Sequence, residues 1–132
     1  MSPIDAPPAR GHALGARGEA RAEEFLRNAG WRIVDRRFRC RGGEIDLIAI
    51  DGEIVVFVEV KARAGTGYGM PTEAVVPLKQ RRIARTALAW LARNDALEQR
   101  CRFDVIEIVA EPGTPETIRH IADAFRPPAP RA

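Results

Sequence analysis

Along this chain the spacing of apolar residues alternates between helical and strand-like. Leu14, Gly18, Ala22, Phe25, Leu26 and Ala29 recur at helical spacing, with Arg17, Arg21, Glu24 and Arg27 opposite them. That predicts an amphipathic helix over 13–29, ended by Gly30. Trp31 to Phe38 reads as a first strand. Residues 42–61 are rich in Ile and Val and alternate with period two on either side of Asp51-Gly52, a strong hairpin signal. Pro77 opens a second helix over 77–94, with Ile83, Ala84, Ala87, Leu88 and Leu91 as its expected buried stripe. The apolar run over 102–109 suits a central strand. A turn is expected at 111–115 and a short edge strand at 117–121.

The order helix, three strands, helix, strand and a final edge strand predicts an α/β sandwich with a mixed central sheet. Hairpin neighbours are antiparallel, and a helical crossover gives a parallel pair. With 132 residues there is room for one core. A single domain is expected over 11–125, between unstructured tails at 1–10 and 126–132. The stretch from Ala62 to Pro71 holds three glycines and a proline, so it reads as a loop, with Tyr68 the aromatic best placed in it to stack on a base.

The hairpin carries the chemistry. If Asp51 and Gly52 are its two loop residues, Glu44 opposes Glu59, Asp46 opposes Phe57, and Asp46 lies diagonal to Glu59, about 7–8 Å away at the backbone. A loop one residue longer would turn the acids apart. Opposed like charges in a sheet are destabilising, so these carboxylates call for a cation, a proton or solvent. Glu59-Val60-Lys61 adds an amine on the same strand face. Carboxylate-bound Mg²⁺ or Mn²⁺ beside an ammonium suits phosphodiester hydrolysis. Taken singly, each of these acids also suits a solvated face.

Charge and residue usage sharpen this. The net charge of +3 is weak support for a polyanion partner. Of the 21 basic residues only Lys61 and Lys79 are lysine, and both fall near the acids, where a compact ammonium differs from the planar fork of Arg. Glu19 sits at the edge of the first helix's apolar stripe, about 20° from Leu26. Gln80 lies near the middle of the second helix's stripe, beside Lys79, at a terminus that favours anions. Arg81 and Arg82 follow as an outer basic cluster with Arg85, and five arginines lie between 32 and 41. Each of these basic stretches reads either as a nucleic-acid track or as a solvated face. Cys40, Cys101, His12 and His120 are read as packing or surface residues. No long apolar run or signal segment is seen, so a cytoplasmic protein with no membrane partner is expected.

An aspartate, a spacer and then Glu-x-Lys at the end of an apolar strand resembles the PD-(D/E)XK nuclease superfamily, with Ile45-Asp46 at the first position. The longer string Gly-Glu-Ile-Asp-Leu-Ile-Ala, then Val-Phe-Val-Glu-Val-Lys-x-Arg, is more specific. With Gly18-Glu19-x-x-Ala22 before it and Gly69-x-Pro71-x-Glu73-Ala74-Val75 and Lys79 after it, it resembles the bacterial YraN family, which is similar to archaeal Holliday junction resolvases. The resemblance spans roughly 11–126. It implies a restriction-endonuclease-like three-layer sandwich with an αβββαβ core. It also implies a Mg²⁺- or Mn²⁺-dependent DNA nuclease, with branched or damaged DNA as candidate substrates. In that reading Asp46 and Glu59 ligate the metal with the Val60 carbonyl, Lys61 positions the water, and Glu19 is an additional metal or water ligand from the helix. Lys79, Gln80, Arg81 and Arg82 are the candidate nucleic-acid contacts, and a homodimer enters only by analogy with resolvases. The alternative is a nucleic-acid-binding module on the same fold that does not cleave.

Overall fold

The computed structural model describes residues 13–64 and 76–127, with backbone alone at 13–17 and 64. Seven elements follow one another: α1 (Ala13–Asn28), β1 (Arg32–Cys40), β2 (Gly43–Asp51), β3 (Ile54–Ala64), α2 (Pro77–Arg93), β4 (Cys101–Ala110) and β5 (Thr117–Phe125). The strands form one sheet in the order β1-β2-β3-β4-β5, antiparallel throughout except for the parallel β3–β4 pair that α2 connects. One face packs on α1 through Ala22, Leu26, Leu47, Val56, Val58 and Ile106. The other packs on α2 through Ile48, Phe57, Ile83, Trp90, Leu91 and Val105. The result is an α/β three-layer sandwich with a mixed sheet, as expected. No helix among the described residues is long and apolar enough to cross a membrane.

The middle strand is β3, whereas β4, expected to be central, is interior between β3 and β5. The final strand runs four residues beyond the expected one. A ladder irregularity between Phe103 and Val105 absorbs the positive φ of Asp123 (52°), and pairing resumes at Phe103↔Phe125. Asp104 holds this bulge: its buried carboxylate accepts from Asp123 N (2.9 Å) and Arg102 Nε (3.0 Å) and bonds His120 Nε2 (2.8 Å). His120 packs against the Trp31 and Phe25 rings. Cys40 and Cys101 are free thiols.

Two further differences bear on the site. The hairpin loop is Gly52-Glu53, not Asp51-Gly52, because Asp51 pairs with Ile54. Gly52, at φ +62°, takes the first loop position, where a type II′ turn needs glycine. The second difference lies in α2, which buries Ile83, Thr86, Ala87, Trp90 and Leu91 and leaves Leu88 exposed. The buried face is therefore turned about 60° from the expected stripe, at 100° per residue. Trp90 drives the turn: its ring meets Phe57 edge-on while its Nε1 donates to Asp35 Oδ2 at 3.0 Å. A large aromatic with a polar handle outweighs a leucine for the inward position.

Residues 65–75, expected as a loop with Tyr68 and including the Gly69, Pro71 and Glu73 positions, lie outside the described residues, as do the expected N-terminal tail at 1–10, His12 and residues 128–132.

Candidate functional site

The β2–β3 ladder ends at Leu47↔Val58. Continuing the register one step brings Asp46 level with Glu59. There the Asp46 side chain replaces the neighbouring backbone as acceptor: its Oδ2 takes the Val60 N–H at 2.8 Å. The sequence had placed Asp46 opposite Phe57 and diagonal to Glu59. The shift is two positions, so parity survives and the acids still share a side. Asp46 and Glu59 come level, and Glu44, beyond the end of the ladder, no longer opposes Glu59.

Glu59 is buried, and its Oε1 receives both Lys61 Nζ (3.2 Å) and Lys79 Nζ. The turned face of α2 explains the second contact. Lys79 falls about 20° from both Thr86 and Trp90, so the rotation carries it inward over β3. Close approach at the other end supports this placement. A Cβ on Gly43 would meet Thr86 Oγ1 at 2.1 Å and Arg82 O at 3.1 Å, so glycine lets β2 lie against α2.

These groups perturb one another. Burial, then the Glu59 charge and the nearby Glu19, push Asp46 up to about 8 against the lowering effect of the Val60 N–H. Burial and the neighbouring Lys79 push Lys61 below the usual ammonium range, against the pull of Glu59. For Lys79 burial acts downward, but the bond and charge of Glu59, with Lys61 and Asp46, together outweigh it and hold the amine above its ordinary value. Two carboxylates forced together with one of them favouring its proton form a site that a divalent cation would relieve.

Glu19 reaches this point from the other face. Gly18 permits it: a Cβ there would lie 2.8 Å from the Ala62 Cβ, so α1 sits directly on β3. Glu19 lies within hydrogen-bonding reach of Asp46 and also accepts from Arg37 Nε at 2.7 Å. Among the described residues no three His, Cys, Asp or Glu side chains converge as a metal cage. The donor set is thus two hard carboxylates. It fits Mg²⁺ or Mn²⁺ better than a soft or tetrahedral ion, since Mg²⁺ binds through one or two carboxylates and keeps several waters.

A cleft of about 520 Å³ opens over the pair, lined by Glu44, Asp46, Glu59, Lys79 and Arg82, with Val76 and Leu78 on its rim. Of the four residues proposed for nucleic acid, Lys79 and Arg82 line it. Gln80 is half-buried and Arg81 exposed, and neither lines the cleft. Three of the five arginines between 32 and 41 are engaged by acids, Arg36 by Glu23, Arg37 by Glu19 and Arg39 by Glu44. Arg37 is the residue sequence reasoning missed. Its backbone is left-handed (φ 48°), which turns its guanidinium toward Glu19, and no local signature marks that conformation in an arginine. A larger apolar groove of about 590 Å³, beside Leu88, Phe103 and Phe125, contains none of the acids or lysines of the site.

The model of the uncharacterised protein family UPF0102 matches residues 18–108, which hold Glu19, Asp46, Glu59, Lys61 and Lys79. The chain is 53% identical over 113 residues to a UPF0102 protein of Geobacter sulfurreducens, covering 85% of this chain and 88% of that one. It is 51% identical over 113 residues to one from Nocardia farcinica, covering 86% and 89%. A relative from Rhodococcus opacus is 50% identical over 113 residues, covering 86% and 96%. With a match over most of its folded length and relatives at this identity, the chain belongs to the UPF0102 family.

Proposed function

We propose that this protein is a metal-dependent nuclease that hydrolyses phosphodiester bonds of DNA at the cleft over Asp46 and Glu59. The observation that carries the reading is the level placement of these two carboxylates beside two lysines, at the end of the β2–β3 ladder and under the cleft. Asp46 and Glu59, with the Val60 carbonyl, would hold Mg²⁺ or Mn²⁺, and Glu19 would act on Asp46 from α1. When bound, the ion supplies Lewis acidity at the phosphoryl oxygen and lowers the pKa of its water.

The rest falls to the chain itself. The Val60 N–H fixes the Asp46 carboxylate, so the site loses little order when loaded. Lys61, with its proton loosened by burial, steadies the attacking water or the charge that builds on phosphorus. Lys79 and Arg82 contact the backbone phosphates, Lys79 as a point charge and Arg82 as a fork. Branched and damaged DNA remain the substrates suggested by the likeness to resolvases.

The test is incubation with linear duplex, single-stranded and four-way DNA in Mg²⁺ or Mn²⁺, beside Asp46→Ala and Lys61→Ala. Cutting that both substitutions abolish supports the enzyme. Retarded DNA that is never cut, with unchanged mobility shifts in the variants, supports a binding module instead.

A further inference from the structure

Glu59 holds two ammonium groups on a single oxygen, and that arrangement does not leave the carboxylate ready for a doubly charged ion. Lys61 Nζ stands 3.2 Å from Oε1, and Lys79 Nζ contacts the same atom. A cation arriving between Asp46 and Glu59 would meet both amines at close range, a like-charge contact that weakens its binding. One amine must therefore leave.

The two lysines differ in how firmly they are held. Lys61 sits in β3, two residues from Glu59 on the same strand face, with its side chain 22% exposed. Lys79 stands in the first turn of α2, and its side chain is 38% exposed along the cleft that Arg82 also lines. Its four-carbon stem can swing into that cleft without disturbing the sheet. The cleft mouth beside Arg82 and the amino end of α2 is where an anion is favoured.

We propose that Lys79 is an exchangeable counter-ion: it neutralises Glu59 in the metal-free protein and transfers to a DNA phosphate when the cation takes its place. This rests on the nuclease reading above and adds an order to it. DNA that draws Lys79 off Glu59 strengthens cation binding, and by linkage the cation strengthens DNA binding by the same factor. Lys79 is a positioning residue here, and it keeps the carboxylate neutralised until both partners are present.

The experiment measures Mn²⁺ binding by calorimetry, with and without a short phosphorothioate duplex, in the wild type, Lys79→Met, Arg85→Met and Asp46→Asn. Arg85 is exposed on the same helix, away from the cleft, and removes the same charge. Lys79→Met should bind Mn²⁺ about tenfold more tightly than wild type without DNA, and added DNA should no longer tighten it. Arg85→Met should match wild type in both respects. Equal Mn²⁺ affinity in wild type and Lys79→Met, or coupling to DNA that persists in Lys79→Met, overturns the exchange alone. Mn²⁺ that binds neither wild type nor Lys79→Met, or binds Asp46→Asn as well as wild type, overturns the metal reading and the exchange together.

Discussion

Asp46 Oδ2 accepts the Val60 N–H at 2.8 Å where β2 and β3 stop pairing, so one side chain both closes the sheet and begins the site. The same carboxyl is pushed up to about 8 by burial and by the charge of Glu59. Stability and function pull on it in opposite directions.

The metal-free fold should lose stability as pH rises. Unfolded, Asp46 gives up its proton near pH 4, whereas folded it keeps it to about 8, so between these values the native state binds more protons. Its contribution is full below the unfolded pKa and disappears as pH passes the folded one. Asp46→Asn, which can still accept from Val60, should remove this slope and be the more stable protein at pH 9. The difference should be on the order of a few kcal/mol, read from urea unfolding in chelator at pH 5 to 9.

Cation affinity should show the reverse trend. Binding needs the Asp46 carboxylate, so Mn²⁺ affinity should climb by up to about tenfold per pH unit until about 8, then level off. Calorimetry in buffers of different ionisation heat should detect the released proton below pH 8 and little above it.

Asp104 should behave as an ordinary stabilising acid. Burial alone would push its carboxyl up, but His120, Arg102 and the Asp123 N–H outweigh that and hold it below the usual range. Its contribution is present above the unfolded pKa and is lost as pH falls through the folded one. Asp104→Ala should cost about 1–3 kcal/mol at pH 7, through the lost bonds from His120, Arg102 and the Asp123 N–H that hold the bulge, and less at pH 2; Arg102 keeps Asp51 as a partner.

Gly43→Ala should loosen α2 from β2. The added methyl would overlap Thr86 Oγ1, at 2.1 Å, and press on Arg82 O at 3.1 Å. A cost of about 1–3 kcal/mol is expected in thermal or urea unfolding. Adding Thr86→Ala should recover part of it, since the side-chain clash goes while the backbone contact stays, and a double-mutant cycle measures the coupling.

Element order, layer architecture and the identity of the clustered acids and amines were legible from the chain, because they rest on local periodicity. Period two put Asp46 and Glu59 on one side of the hairpin, and a register error of two positions left that intact. A single-position error would have parted them. What stayed hidden was set by contacts distant in sequence. Gly52 could serve as either loop residue, and only the pairing of Asp51 with Ile54 decided which. The face of α2 could not be read from its leucines, because Trp90 found Phe57 and Asp35 on strands far away in the chain. That turn brings Lys79 onto Glu59. Composition and period thus chose the elements and their chemistry, since these depend on neighbours a few residues off. Register, helix rotation and the left-handed backbone of Arg37 were decided by packing between elements, where the free energy of the assembled core outweighs any local preference.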